Sequence, residues 1–146
     1  MSTIKSLLGL KKWKEDETKN RFAALLKELA HEERLLADME DQFRCIGKRL
    51  DYGTDEMVNI DEVKRLNEYL GHLLSKINRQ KETIAGKERQ VEEARNALVD
   101  ATKERKVFER LDEKRQAAFE KEIRRKEQIG IDEHAITGHT RKKEEK

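Results

Sequence analysis

The chain has no proline among its 146 residues. The strongest helix breaker is therefore missing, as is the material of a proline-rich linker, and no domain boundary is expected in the first 130 residues. A single cysteine, Cys45, cannot close an internal disulfide. Long apolar runs are also lacking. The patch Leu7, Leu8 and Leu10 near the start stops at Lys11 and Lys12, which predicts neither a signal peptide nor a membrane span and makes the cytoplasm the expected compartment. Neither sign of charge dominates, because 33 basic and 31 acidic residues are interspersed and leave a net charge of +2. Bulk electrostatics thus give no case for nucleic-acid binding.

What is present is charge and helix-forming chemistry. Charged residues make up 44 % of the chain and apolar residues 35 %, which allows a narrow buried seam but not a thick core. Ala, Glu, Lys, Leu and Arg supply 81 of the 146 residues, the composition of a coiled coil when a heptad accompanies it. The heptad is there. Phe22, Leu29, Leu36, Phe43 and Leu50 recur at seven-residue steps, with Leu25, Met39 and Ile46 at the second core position and Glu32 as the one interruption. Glu15 and Lys19, Glu17 and Arg21, and Glu40 and Arg44 have the spacing of ion pairs along a helix, each worth about 0.3 kcal/mol.

The stretch Asp51-Tyr52-Gly53-Thr54-Asp55-Glu56-Met57-Val58-Asn59 breaks the repeat, and its glycine suits the left-handed end of a helix. Asn59 and Glu62 then have the spacing of a capping box that starts a second helix. In that helix Val63, Leu70, Ile77, Ile84, Val91 and Leu98 hold one core position. Leu66, Leu73, Gln80, Lys87, Ala94, Ala101 and Phe108 hold the other. Polar Gln80 and Lys87 lower stability while fixing register. Leu111, Ala118 and Ile123 continue out of phase, which predicts a stutter near Phe108.

The pattern predicts an all-α fold, a long two-helix antiparallel coiled-coil hairpin over residues 1–135. Helix one spans about 4–50, the turn 51–60 and helix two about 61–129, with 136–146 a disordered charged tail. At 1.5 Å per residue the helices rise about 74 and 100 Å. Residue 2 is then expected opposite roughly residue 110, leaving about 20 residues of helix two to extend alone.

Catalytic and ligand templates fail on required positions. His31-Glu32-Glu33-Arg34-Leu35 has Leu35 where a zinc-protease helix needs its second histidine, and His72, His134 and His139 share no metal-ligand spacing. The span from Asp51 to Glu62 has the length of a calcium loop, but Gly53 occupies a ligand position and Glu56 the turn-glycine position. Gly47-Lys48 lacks the rest of a phosphate loop, and Cys45 has only Arg44 beside it. The expectation is a non-enzymatic chain with no cofactor, metal, small-molecule ligand or nucleic acid. What remains is surface: Trp13, Tyr52, Met57, Val58 and Tyr69, and the cations Arg105, Lys106, Arg110, Lys114, Arg115, Arg124 and Arg125.

Ala97-Leu98, then Glu104-Arg105-Lys106-Val107-Phe108-Glu109-Arg110-Leu111 and Lys114, resemble the flagellar FliJ family, as do Lys126-Glu127-Gln128 with Asp132-Glu133 and Ala135. Tyr69-Leu70, Leu73, Ile77 and Gln80 are similar to that family's second helix just after the turn. Gly130 departs from the pattern between the last two elements, and the first twenty residues match none of it. The resemblance implies a coiled-coil stalk of the flagellar type III export apparatus at the inner membrane. Its implied partners are the hexameric export ATPase, the cytoplasmic domain of the membrane export gate, and export chaperones. Carried over by position, Arg105, Lys106, Arg110 and Lys114 would face the ATPase ring, and Tyr69 and Leu73 the export gate. The rival readings are the stalk of a virulence secretion system or rotary ATPase, and a self-associating coiled-coil scaffold.

Overall fold

The computed structural model describes residues 3–52 and 59–144, with only the backbone at Tyr52. The chain forms two helices, α1 over Thr3–Tyr52 and α2 over Ile60–Glu144, with no strand among the described residues. They pack antiparallel as a hairpin, as the heptads predict. The expected helix stop at Gly53, the centre of the calcium-loop lookalike, and Met57 and Val58 lie outside the described residues.

Asn59 caps α2, which is the asparagine half of the capping box its spacing predicts. Its side-chain oxygen accepts from the Asp61 amide at 3.2 Å, and its carbonyl accepts from the amides of Glu62 and Val63 at 3.1 Å. Asp61 and Glu62 add negative charge to the first turn, where the helix dipole favours it.

The far end of α2 differs from the sequence expectation. Instead of stopping near 129 before a disordered 136–146, the helix continues through Gly130 and Gly138 to Glu144. Without proline, a glycine in a helix costs only about 1 kcal/mol. Side chains also tie successive turns together: Gln128 Nε2 donates to Asp132 at 3.1 Å, and Thr137 and Thr140 hydroxyls donate to the carbonyls of Glu133 and Ile136. Arg141, Lys142 and Lys143 complement the dipole in the last turn.

The chain divides into two compact units. One comprises Asp16–Asp100 and the other Met1–Glu15 with Ala101–Lys146. In the first, Phe22, Leu25, Leu29, Leu36, Met39, Phe43, Ile46 and Leu50 line one face of α1 and are half-buried. Against them α2 buries Leu73, Ile77, Ile84, Val91 and Ala94. The polar interruptions of the two heptads meet each other. Gln80 Nε2 donates to the Glu32 backbone carbonyl at 2.9 Å and also to the Glu32 carboxylate, and Lys87 Nζ reaches Glu28 at 2.7 Å. Arg95 adds a cationic contact 5.7 Å from the Phe22 ring.

In the second unit Leu8 and Ala101 are buried, with Ile4, Lys11, Glu15, Arg105 and Phe108 half-buried beside them. The register set by Lys11 and Glu104 places Thr3 across from about residue 112. Beyond Asp112 every described residue of α2 is exposed. This segment therefore runs on for about 32 residues, or about 48 Å, with no helix beside it in its unit. It is longer than expected because α2 does not end at the glycines.

Candidate partner-binding surfaces

Arg105 lies seven residues after Leu98 and so falls in the seam position of α2. Its side chain is only 22 % exposed, and Glu15 opposite it 20 %. Arg105 Nε donates to Glu15 at 2.7 Å and a terminal nitrogen donates to Glu109 at 2.6 Å. The Glu15 hydrogen bond holds the guanidinium still more firmly in its charged form. One turn away Lys11 donates to Glu104 at 2.9 Å and lies 5.5 Å over the Phe108 ring. The Lys11 hydrogen bond, then the charges of Lys11 and Lys14, hold the Glu104 carboxyl below the usual glutamate range.

This ionic seam was hidden in the sequence, although the signal for it was present. Seven-residue steps back from Phe22 reach Glu15 and Leu8, and from Leu25 they reach Thr18, Lys11 and Ile4. The heptad thus continues to the start of α1 with polar residues in core positions. Glu15 pairs across the hairpin with Arg105, and Arg44 pairs with Asp41.

Of the four cations that the resemblance assigns to an ATPase ring, Arg105 is engaged within its own unit. Lys106, Arg110 and Lys114 are exposed and enter no ion pair among the described residues. Among and beyond them, Val107, Leu111, Ala118, Ile129 and Ile136 share one face of α2 at steps of 4, 7, 11 and 7 residues. The four large ones are all exposed, as are Phe119 and Ile123 on an adjoining face. The eleven-residue step continues the phase change expected near Phe108.

The two residues assigned to an export gate separate in the structure. Tyr69 is 49 % exposed, whereas Leu73 is 4 % exposed and packs into the seam of its unit. Leu73 is therefore a packing residue, because its position in the repeat turns it toward α1. Among the described residues no three His, Cys, Asp or Glu side chains gather closely enough to hold a metal ion, and no helix is long and apolar enough to cross a membrane.

The family model described as the flagellar FliJ protein matches residues 1–144. The chain belongs to the flagellar FliJ family. No curated protein and no solved structure matches it. Membership makes the chain a helical coiled-coil protein related to flagellar export, and it covers the first twenty residues, in which the motif comparison finds no counterpart.

Proposed function

We infer that this FliJ-family chain is a non-catalytic coiled-coil stalk of the flagellar export apparatus, acting in the cytoplasm at the flagellar base. It binds the hexameric export ATPase and promotes its activity, and it links the ring to the export gate and to export chaperones. The observation that carries this reading is the segment of α2 beyond Asp112, a helix with no neighbour in its unit and apolar side chains open to a partner. Monomeric proteins seldom leave such a surface uncovered without a use for it. A ring that encloses this segment would bury Leu111, Phe119, Ile123 and Ile129, while Lys106, Arg110 and Lys114 would meet acidic groups at its rim. Tyr69, on the exposed side of α2, is the residue assigned to the gate.

The test is ATP hydrolysis by the purified cognate export ATPase with and without the chain. A Lys106→Glu, Arg110→Glu, Lys114→Glu variant is the informative one, because reversing Arg105 as well would break the seam with Glu15. Stimulation by the native chain and its loss in the variant are expected. No stimulation together with no co-sedimentation would remove the ATPase from the reading.

A further inference from the structure

The first fourteen residues contain Lys5, Lys11, Lys12 and Lys14 and no acid. No other stretch of the chain holds four cations without an acid between them. The stretch of α2 across from the first fourteen residues, 101–112, carries four cations and three acids, so the two together hold a net charge of +5 against +2 for the whole chain. Two of those acids, Glu104 and Glu109, are already engaged by Lys11 and Arg105. Lys5 and Lys12 are exposed and enter no ion pair among the described residues.

The seam side of this stretch is Ile4, Leu8, Lys11 and Glu15. Thr3, Ser6, Leu10 and Trp13 recur at steps of three and four residues on the side turned away from it, and all are exposed. Leu10 is 61 % exposed, Trp13 59 % and Leu7 beside them 37 %. Three large apolar side chains within seven residues, with exposed Thr3 and Ser6 on the same side and Lys5 and Lys12 along one flank, make an amphipathic face. The face ends at Asp16 and Glu17, the first exposed acids of α1. A tryptophan with a polar edge and an apolar body is suited to the headgroup layer, and lysines to lipid phosphates.

We propose that the start of α1 docks on an anionic lipid surface, with Leu7, Leu10 and Trp13 entering the headgroup layer and Lys5 and Lys12 beside the phosphates. Charge complementarity selects the occupant: an anionic bilayer supplies negative charge and apolar depth over the whole face at once. The proposal does not depend on the export-ATPase reading, since it uses neither the free segment of α2 nor its partners. Leu10 and Trp13 are turned away from the seam of Ile4, Leu8, Lys11 and Glu15, so their contact with lipid leaves that seam intact.

Trp13 is the only tryptophan, and its fluorescence therefore reports on this face alone. The full chain is mixed with vesicles of phosphatidylglycerol and phosphatidylcholine in equal parts, and with phosphatidylcholine alone. Co-sedimentation and a blue shift of the emission are expected with the anionic vesicles, both reversed by salt. Lys5→Gln with Lys12→Gln should lower partitioning roughly thirtyfold, at about fivefold per lysine. Leu10→Ala should weaken binding with unchanged helical circular dichroism. Co-sedimentation without a Trp13 shift would overturn the proposal by moving the contact elsewhere. Neither signal would overturn it too, and would leave an acidic protein surface as the ligand of the same residues.

Discussion

Replacing Glu32 and Gln80, singly and together, tests whether the polar interruptions of the two heptads act as one unit. In Glu32→Leu the Gln80 amide keeps its backbone acceptor, the residue 32 carbonyl now 2.9 Å away. The new leucine half-buries beside Leu29 and Leu36, so a gain of about 1 kcal/mol is expected. Gln80→Leu gains about as much by burial near Ile77 and Ile84, both under 9 % exposed. It also removes the donor to the Glu32 carboxylate, a charge-assisted bond worth roughly 1.5–3 kcal/mol, and the net is a loss of about 1 kcal/mol. With both replaced no polar group is stranded, and the gain is about 2 kcal/mol. The singles cancel while the double does not, so the cycle shows a coupling of about 2 kcal/mol. Urea unfolding at fixed m-value measures all four species. If Gln80→Leu stabilises as much as Glu32→Leu and the changes add, the two side chains do not act together and the argument fails.

Three further outcomes follow from the same structure. Leu73→Ala should cost about 2–4 kcal/mol, whereas Tyr69→Ala should stay within about 0.5 kcal/mol by the same unfolding assay and act only on partner binding. Because Glu104 titrates below the ordinary glutamate range when folded, its pairing with Lys11 is fully present above that range. It is lost as pH falls below it, so the protection factors of the amides across residues 3–15, taken relative to the intrinsic exchange rate at each pH, should fall on acidification, and less so in Glu104→Gln. Gly71→Ala and Gly86→Ala, where an added methyl meets nothing within 4 Å, should each raise stability by about 0.5–1 kcal/mol and add, as thermal melts would show.

The sequence by itself determined the helices and their seam. A seven-residue repeat leaves an apolar stripe that only a partner helix can bury, and the break after Leu50 with a cap at Asn59 points to the same chain folded back as that partner. Family membership was also legible, because the residues around Arg105 to Leu111 resemble the family whose model matches residues 1–144. Three things needed the tertiary structure. Which polar groups pair is set by proximity between residues 48 to 90 apart in sequence, so Arg105 belongs to Glu15 and Gln80 to Glu32, and a one-dimensional reading sees only neighbours on one helix. The side to which Leu73 and Tyr69 point was settled by the partner helix, which buries one and leaves the other open. The end of α2 lies beyond the glycines because glycine weakens a helix by about 1 kcal/mol without breaking it, and the bonds from Gln128, Thr137 and Thr140 link the turns on either side.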